Sequence, residues 1–340
     1  MTRFAGFDVP PVYDLAIARA AETLRRGGLV AFPTETVYGL GADATQPAAV
    51  RAIFAAKGRP ADHPVIVHVA AAQALDRWAQ AVPAAAWRLA AAFWPGPLTL
   101  VLPRAAEVDD VVTGGQDTIG LRCPAHPWAQ ALLAAFGGAL AAPSANRFGR
   151  ISPTTAAHVR ADLGQKPDGV VDLILDGGAC PVGIESTIVD LSAEAPRLLR
   201  PGAITRAQLE AQLGAPLPDA GADAPRASGR LAQHYAPRTP VELIAAAALP
   251  ARINALRSRR LAVVAPAGVL LDRPSQVIRR LLAPAEPVEY ARRLYALLHE
   301  VDAAGADLIL IAVPPAGGLW EAIHDRLRRA AATQNSPQSL

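Results

Sequence analysis

The chain is 340 residues long and 51% hydrophobic, and it carries 33 basic against 30 acidic residues for a net charge of +3. That size and apolar content predict two domains with a large buried core, and the near-balanced charge makes no compositional case for nucleic-acid binding. Two distant cysteines, Cys123 and Cys180, exclude a disulfide framework, and with no apolar opening segment or membrane-length apolar run we expect a cytoplasmic protein without a membrane partner.

Residues 15–26 show helical spacing (Leu15, Ala18, Ala21, Leu24) and stop at Gly27-Gly28. The apolar run 29–32 then reads as a buried strand ended by Pro33. A loop over 34–41 gathers Thr34, Glu35, Thr36 and Tyr38, with Gly39 and Gly41 free to turn tightly or approach a ligand. Thr45 is expected to cap a helix that takes Pro47 in its first turn, buries Val50, Ile53 and Phe54, and stops at Gly58. This leaves Lys57 in the last turn and Arg59 just beyond, two cations beside a polar strand-to-helix loop. They read either as solvated charges meeting the helix dipole or as an oxyanion or phosphate site, exposed in an open cleft. The loop is no Walker A motif, and Gly39-Leu40-Gly41 lacks the third glycine of a Rossmann fingerprint.

Residues 65–69 form the next expected strand. His63 and His68 are five apart, which in a strand places them on opposite faces and argues against a zinc pair. His68 is either a satisfied core histidine or a donor facing a ligand. Helices are expected over 71–80 and 83–93, the second broken by Pro95-Gly96-Pro97, and strands over 98–102 and 118–122. The latter delivers Arg122 to its end. Apolar runs at 139–142, 170–175, 188–191 and 198–199 follow, bordered by Ser144, Asn146, Ser152, by Glu185, Ser186 and Thr187, and by Arg200. Each such loop alone is ordinary turn chemistry. Their repetition at strand ends points to a shared site.

Taken together, these stretches resemble the YrdC-type threonylcarbamoyl-AMP synthases in their long, two-domain form. The resemblance rests on FPTETVYGLG at 32–41, AKGRP at 56–60, HPVIVHV at 63–69, TIGLRCP at 118–124, APSAN at 142–146, SPT at 152–154, ESTIVD at 185–190, LRPGAI at 199–204 and HYAP at 234–237. It implies an enzyme that forms an adenylated carbamate from L-threonine, bicarbonate and ATP with Mg²⁺, releasing pyrophosphate. The product would feed a downstream tRNA threonylcarbamoyl transferase. The implied threonine pocket comprises Thr36, His68, Arg122, Ala142 and Ser186. The implied ATP site comprises Lys57, Arg59, His63, Thr118, Ser144, Asn146, Ser152, Arg200 and Tyr235, with Lys57, Arg59, Ser144 and Asn146 as its catalytic set. No protein metal ligands are assigned. His63 stands where relatives often carry Asn, and Ala142 where others place a hydroxyl. The stretch RASGRLAQ at 226–233 replaces the SPGMKYR of many relatives.

The implied architecture is α/β: a twisted mixed-sheet catalytic domain over 10–213, a linker or lid over 214–240, and a smaller Rossmann-like parallel α/β domain over 241–332. Its strands are expected at 241–244, 261–265 and 307–313 and its helices at 288–303 and 320–332, with a disordered tail over 333–340. The other readings are a hydrogenase-maturation carbamoyltransferase, which needs cysteine-rich zinc motifs that two isolated cysteines cannot supply, and a non-catalytic RNA-binding or ribosome-assembly module. A concave basic face would also allow weak tRNA or double-stranded RNA binding.

Overall fold

A computed structural model describes residues 11–269 and 274–332, with side chains from residue 14 onward. The tail expected over 333–340 lies outside the described residues. The larger sheet contains β1 (Val30–Phe32), β2 (Gly39–Asp43), β3 (Ile66–His68), β4 (Leu98–Pro103), β5 (Thr118–Arg122), β6 (Leu140–Ala141), β7 (Leu173–Ile174), β8 (Thr187–Asp190) and β9 (Arg197–Arg200). Their spatial order is β7-β1-β2-β6-β3-β5-β4-β8-β9. Parallel pairs such as β3–β5 are mixed with antiparallel ones such as β1–β2, β4–β5 and β8–β9. The register sets up the site: His68 lies opposite Arg122, and Thr99 opposite Arg122 from the other side.

Both faces of this sheet are covered. Val30 and Phe32 point to one side, against Ile17, Leu24 and Leu132 of the helices Pro11–Arg25 and Pro127–Phe136. Ala31 points to the other, with Leu40, Val67, Leu100 and Leu121, against Val50 and Ile53 of the helix Pro47–Lys57 and Leu89 of the helix Ala84–Phe93. This is the period-2 alternation of a strand buried on both faces.

Three local expectations need correction. The helix at 47 is preceded by Gln46 with no side-chain cap; Thr45 instead spends its hydroxyl on Asp43, at 2.7 Å. The loop after β1 is shorter than expected because Gly39 and Gly41 pair within β2, where a Cβ on Gly41 would sit 2.8 Å from the Phe32 ring. Residues 71–80 form a short 3₁₀ turn, Ala72–Ala74, and one helical turn, Leu75–Trp78.

The smaller sheet is wholly parallel, with β10 (Val241–Ile244), β11 (Leu261–Ala265), β12 (Val277–Leu282) and β13 (Leu308–Ala312) in the order β10-β13-β11-β12. Ala262, Val264, Ile309 and Ile311 face the helices Pro287–Asp302 and Trp320–Ala331. Val263, Leu310 and Ala312 face the helix Leu249–Ala255. The mixed sheet and the parallel one agree with the α/β class expected.

The two sheets share one apolar cluster. Val37, Ile151 and Ile184 from the larger unit pack with Leu294, Ile323 and Leu327 of the C-terminal helices, and Tyr235 of the connecting stretch joins them. Gly183, at φ +78°, makes the approach possible: a Cβ there would lie 2.3 Å from the Arg292 carbonyl oxygen. The connection over 214–240 runs along the larger unit as a strap, with Leu217 buried and the Ala236 N–H donating to the Gly149 carbonyl at 2.9 Å.

Candidate active site

The loops at the ends of these strands line a cavity of about 520 Å³, counting the open space at its mouth. Thr36, His68, Arg122, Ala142 and Ser186 all line it, so the five residues of the expected threonine pocket converge. Of the expected ATP set, Arg59, Ser144, Arg200 and Tyr235 line it as well. Lys57, Asn146, Ser152 and His63 are placed around it and do not form its lining.

Arg122 is 4% exposed and is held from three sides. Its Nη2 donates to Glu35 Oε1 at 2.6 Å, Nη1 to the Thr36 hydroxyl at 2.9 Å, and Nε to the Gly96 carbonyl at 3.4 Å. Glu35 is itself fixed by the Ala125 N–H at 3.0 Å. A guanidinium has five N–H donors, so two remain for a ligand carboxylate. Beside it, burial and then the Arg122 charge push the His68 imidazole down to about 3, so the ring is neutral near pH 7. Its Nδ1 has no partner among the described residues, which favours the ligand-facing reading over the satisfied core histidine. The Ser186 hydroxyl shares a 2.7 Å hydrogen bond with Thr99 and accepts one from Arg200 Nη2 at 3.1 Å.

Lys57 and Arg59 are buried, 3% and 8% exposed, rather than open to solvent as expected. The reason is tertiary. The 144–150 loop folds over the helix end, and Lys57 Nζ donates to the carbonyls of Ser144 and Asn146, both at 2.5 Å. Burial and the neighbouring Arg59 lower the Lys57 pKa well below its ordinary value. Asn146 turns its amide to the Arg147 and Arg150 carbonyls and so stiffens the same loop. Arg59 bonds the Pro64 carbonyl at 2.7 Å and the Ser228 hydroxyl at 3.3 Å, while burial lowers its pKa to about 10. His63 packs edge-on against Phe148 with centroids 5.3 Å apart. Thr118 lies in an adjoining hollow of about 300 Å³, walled by Pro64, Ile66, Val101 and Ile188. Ile66 and Ser228 border both spaces.

The strap closes the remaining side. Ser228, Gly229, His234 and Tyr235 line the cavity, and Arg200 Nη1 holds the Ser228 carbonyl at 2.9 Å. Tyr235 adopts φ +63°, unusual for a residue with a side chain, and its ring is 1% exposed. Six buried side-chain polar atoms have no partner among the described residues, and four of them (Arg59 Nε, His68 Nδ1, His234 Nδ1 and the Tyr235 hydroxyl) belong to residues lining this one cavity. Buried polar groups are ordinarily satisfied, so the concentration marks a space shaped for a polar ligand.

A model of the Sua5/YciO/YrdC family, described as "Telomere recombination", matches residues 22–202. A second, described as "Threonylcarbamoyl-AMP synthase, C-terminal domain", matches residues 204–332. Over 327 residues the chain is 40% identical to the threonylcarbamoyl-AMP synthase of Pyrococcus abyssi, covering 94% of this chain and 95% of that one. The chain belongs to the threonylcarbamoyl-AMP synthase family. The family's protein from Bacillus subtilis is also 40% identical, over 94% of this chain and 93% of its own. Among solved structures, P. abyssi Sua5 complexed with L-threonine superposes with a TM-score of 0.85 at 38% identity, covering 94% of each chain. The two-domain form expected from the motifs is the form found.

Several residues of the pocket and its surroundings had no assigned role in the sequence. Glu185 stood out only as a loop carboxylate. Ser228 and Gly229 sit in the stretch that departs from the usual SPGMKYR, although the Ser-Gly pair was there to be read. Arg326 looks like one more surface charge on a helix. Its phase with Ile323, Leu327 and Ala330 was the available signal, because it places Arg326 on the buried face.

Proposed function

We propose that the chain joins L-threonine, bicarbonate and ATP into threonylcarbamoyl-AMP with release of pyrophosphate, for use by a separate transferase acting on tRNA. The observation that carries the reading is the convergence of Arg122, Arg59 and Arg200 with the unpartnered polar atoms on one cavity. In this reading the two spare donors of Arg122 hold the threonine carboxylate, with Thr36, Ser186 and neutral His68 around the rest of the molecule. The amine adds to carbon dioxide derived from bicarbonate and loses a proton, giving a carbamate anion. A carbamate oxygen then attacks the α-phosphorus, the bond to the β-phosphate oxygen breaks, and pyrophosphate leaves with the electron pair. Two anions must approach each other, so Arg59 and Arg200 contribute chiefly by neutralising charge and positioning the groups. The carbamate is already a nucleophile and needs no general base at that step.

The adjoining hollow suits the flat adenine base: its walls are apolar, and Thr118 and Gln116 offer polar groups at its edge. Mg²⁺ enters as part of the MgATP substrate, since this ion is ordinarily held by the substrate phosphates and its own waters with few protein groups. The strap acts as a cover that keeps water from a product prone to hydrolysis. Among the described residues no helix is long and apolar enough to cross a membrane. The test is incubation with ATP, Mg²⁺, bicarbonate and threonine, omitting each in turn and detecting the adenylate by mass. Adenylate and pyrophosphate are expected only in the complete mixture. Equal pyrophosphate release without threonine would mean a simple ATPase and sink the reading.

A further inference from the structure

Arg326 has no exposed surface and belongs to the helix Trp320–Ala331, yet its guanidinium reaches Glu185, which lines the cavity. Its Nε donates to Glu185 Oε2 at 2.9 Å, and its Nη1 to the Pro201 carbonyl at 2.9 Å and to Asp325 at 2.7 Å. Tyr295, from the helix Pro287–Asp302, donates to the same Glu185 oxygen at 2.6 Å. Ser152 donates to the other, also at 2.6 Å. Glu185 thus fixes Ser152 through its side chain and directly precedes Ser186, whose carbonyl accepts Arg200 Nε and Nη2 at 3.0 and 2.8 Å.

We propose that Arg326 is a positioning residue for the adenylation: acting through Glu185, it aligns Ser152, Ser186 and Arg200, so that the C-terminal domain completes the catalytic pocket. This rests on the reading of the pocket given above. Arg326 touches no substrate in this account; it holds the group that holds the site.

The electrostatics agree with the geometry. Burial alone would raise the Glu185 pKa, but Arg326, then Arg200, and the hydrogen bonds from Ser152 and Tyr295 bring it down to about 2. The other charged or titratable groups around it are Asp325 on the Arg326 helix and His234 and Tyr235 on the strap, with His299 at the Ser152 carbonyl, 3.2 Å away. Asp325 keeps a second cation, Arg329, at 2.9 Å. Without Arg326 the burial of Glu185 is opposed mainly by Arg200, and the carboxyl takes up a proton toward neutral pH. A protonated Glu185 loses acceptor capacity for Ser152, and the turn carrying Ser186 is released.

The test compares adenylate formation by the full chain and its Arg326→Gln variant from pH 8 to pH 6. The ratio of variant to parent kcat/KM is expected to fall by about tenfold across that span, as a buried carboxyl stripped of its main counter-charge titrates. In Glu185→Gln/Arg326→Gln, where nothing is left to titrate, the ratio stays flat. A flat ratio for Arg326→Gln, or an equal fall in the double variant, overturns the proposal. If Arg326→Gln does not fold, Glu185→Gln is compared with the double variant, which leaves neither member of the Glu185–Arg326 pair buried alone. The two are expected to agree within about twofold, and a further tenfold loss in the double variant overturns the proposal. A parent that forms no adenylate overturns the reading of the pocket itself, and this inference with it.

Discussion

Lys57 directs its ammonium to the carbonyl oxygens of Ser144 and Asn146, 87 and 89 residues further along the chain. It is a staple for the loop that presents Ser144 to the cavity. Lys57→Ala removes both bonds and leaves the buried Asn146 carbonyl unpaired, while the Ser144 carbonyl keeps the Asn146 N–H at 3.0 Å, so it should cost about 1–3 kcal/mol of stability as well as roughly 10²-fold in turnover. A denaturant midpoint equal to the parent's would refute the staple. At this scale the sequence was legible in residue type and silent on burial. The KGR motif marked Lys57 and Arg59, but what encloses them comes from the 144–150 loop and the strap, which no local pattern announces. Arg326 shows the same limit in sharper form, since its partner Glu185 lies 141 residues away.

At the scale of elements, the strap depends on one glycine. Gly229 sits at φ +82°, and a Cβ on it would fall 2.2 Å from the Tyr235 hydroxyl and 2.9 Å from Arg200 Nη1. Gly229→Ala should therefore lift Tyr235 from its seat, lower adenylate yield by about tenfold, and weaken hydrogen-exchange protection over 228–237, with a backbone cost of about 1 kcal/mol. Unchanged protection and yield would contradict a tightly seated strap. Strands with plain alternation or unbroken apolar runs, such as β5, β10 and β11, were readable to the residue. β12 was missed because Arg279 and Arg280 interrupt VIRRLL, which is tolerable on a sheet edge where half of each side chain meets water. The turn at 71–80 misled because alanine-rich sequence satisfies a helical pattern even where only one turn forms.

For the whole molecule, burial of neutral histidines sets the response to acid. Burial pushes both His68 and His234 from 6.5 to about 3. The unfolded chain binds these protons near pH 6.5 and the folded one does not, so the stability they contribute is complete above that value. It is lost as pH falls from about 6.5 toward 3, by up to about 1.4 kcal/mol per pH unit for each ring. Glu185, depressed from 4.5 to about 2, adds a second loss across that lower window. The thermal midpoint should thus decline steadily from pH 7 to pH 4, and a midpoint constant over that range would refute the assignment of buried neutral rings.

The apolar cluster joining the two sheets also bears on how the protein is made. Val37, Ile151 and Ile184 complete their packing only against Leu294, Ile323 and Leu327. A ribosome delivers the first three long before the last three. Until the helix Trp320–Ala331 emerges, the nascent catalytic half presents a bare greasy floor, and Glu185 has Arg200 but not Arg326 beside it. Chaperones that read exposed apolar surface have that interval in which to hold it. Translation that stops short of this helix leaves that floor without the side chains that cover it.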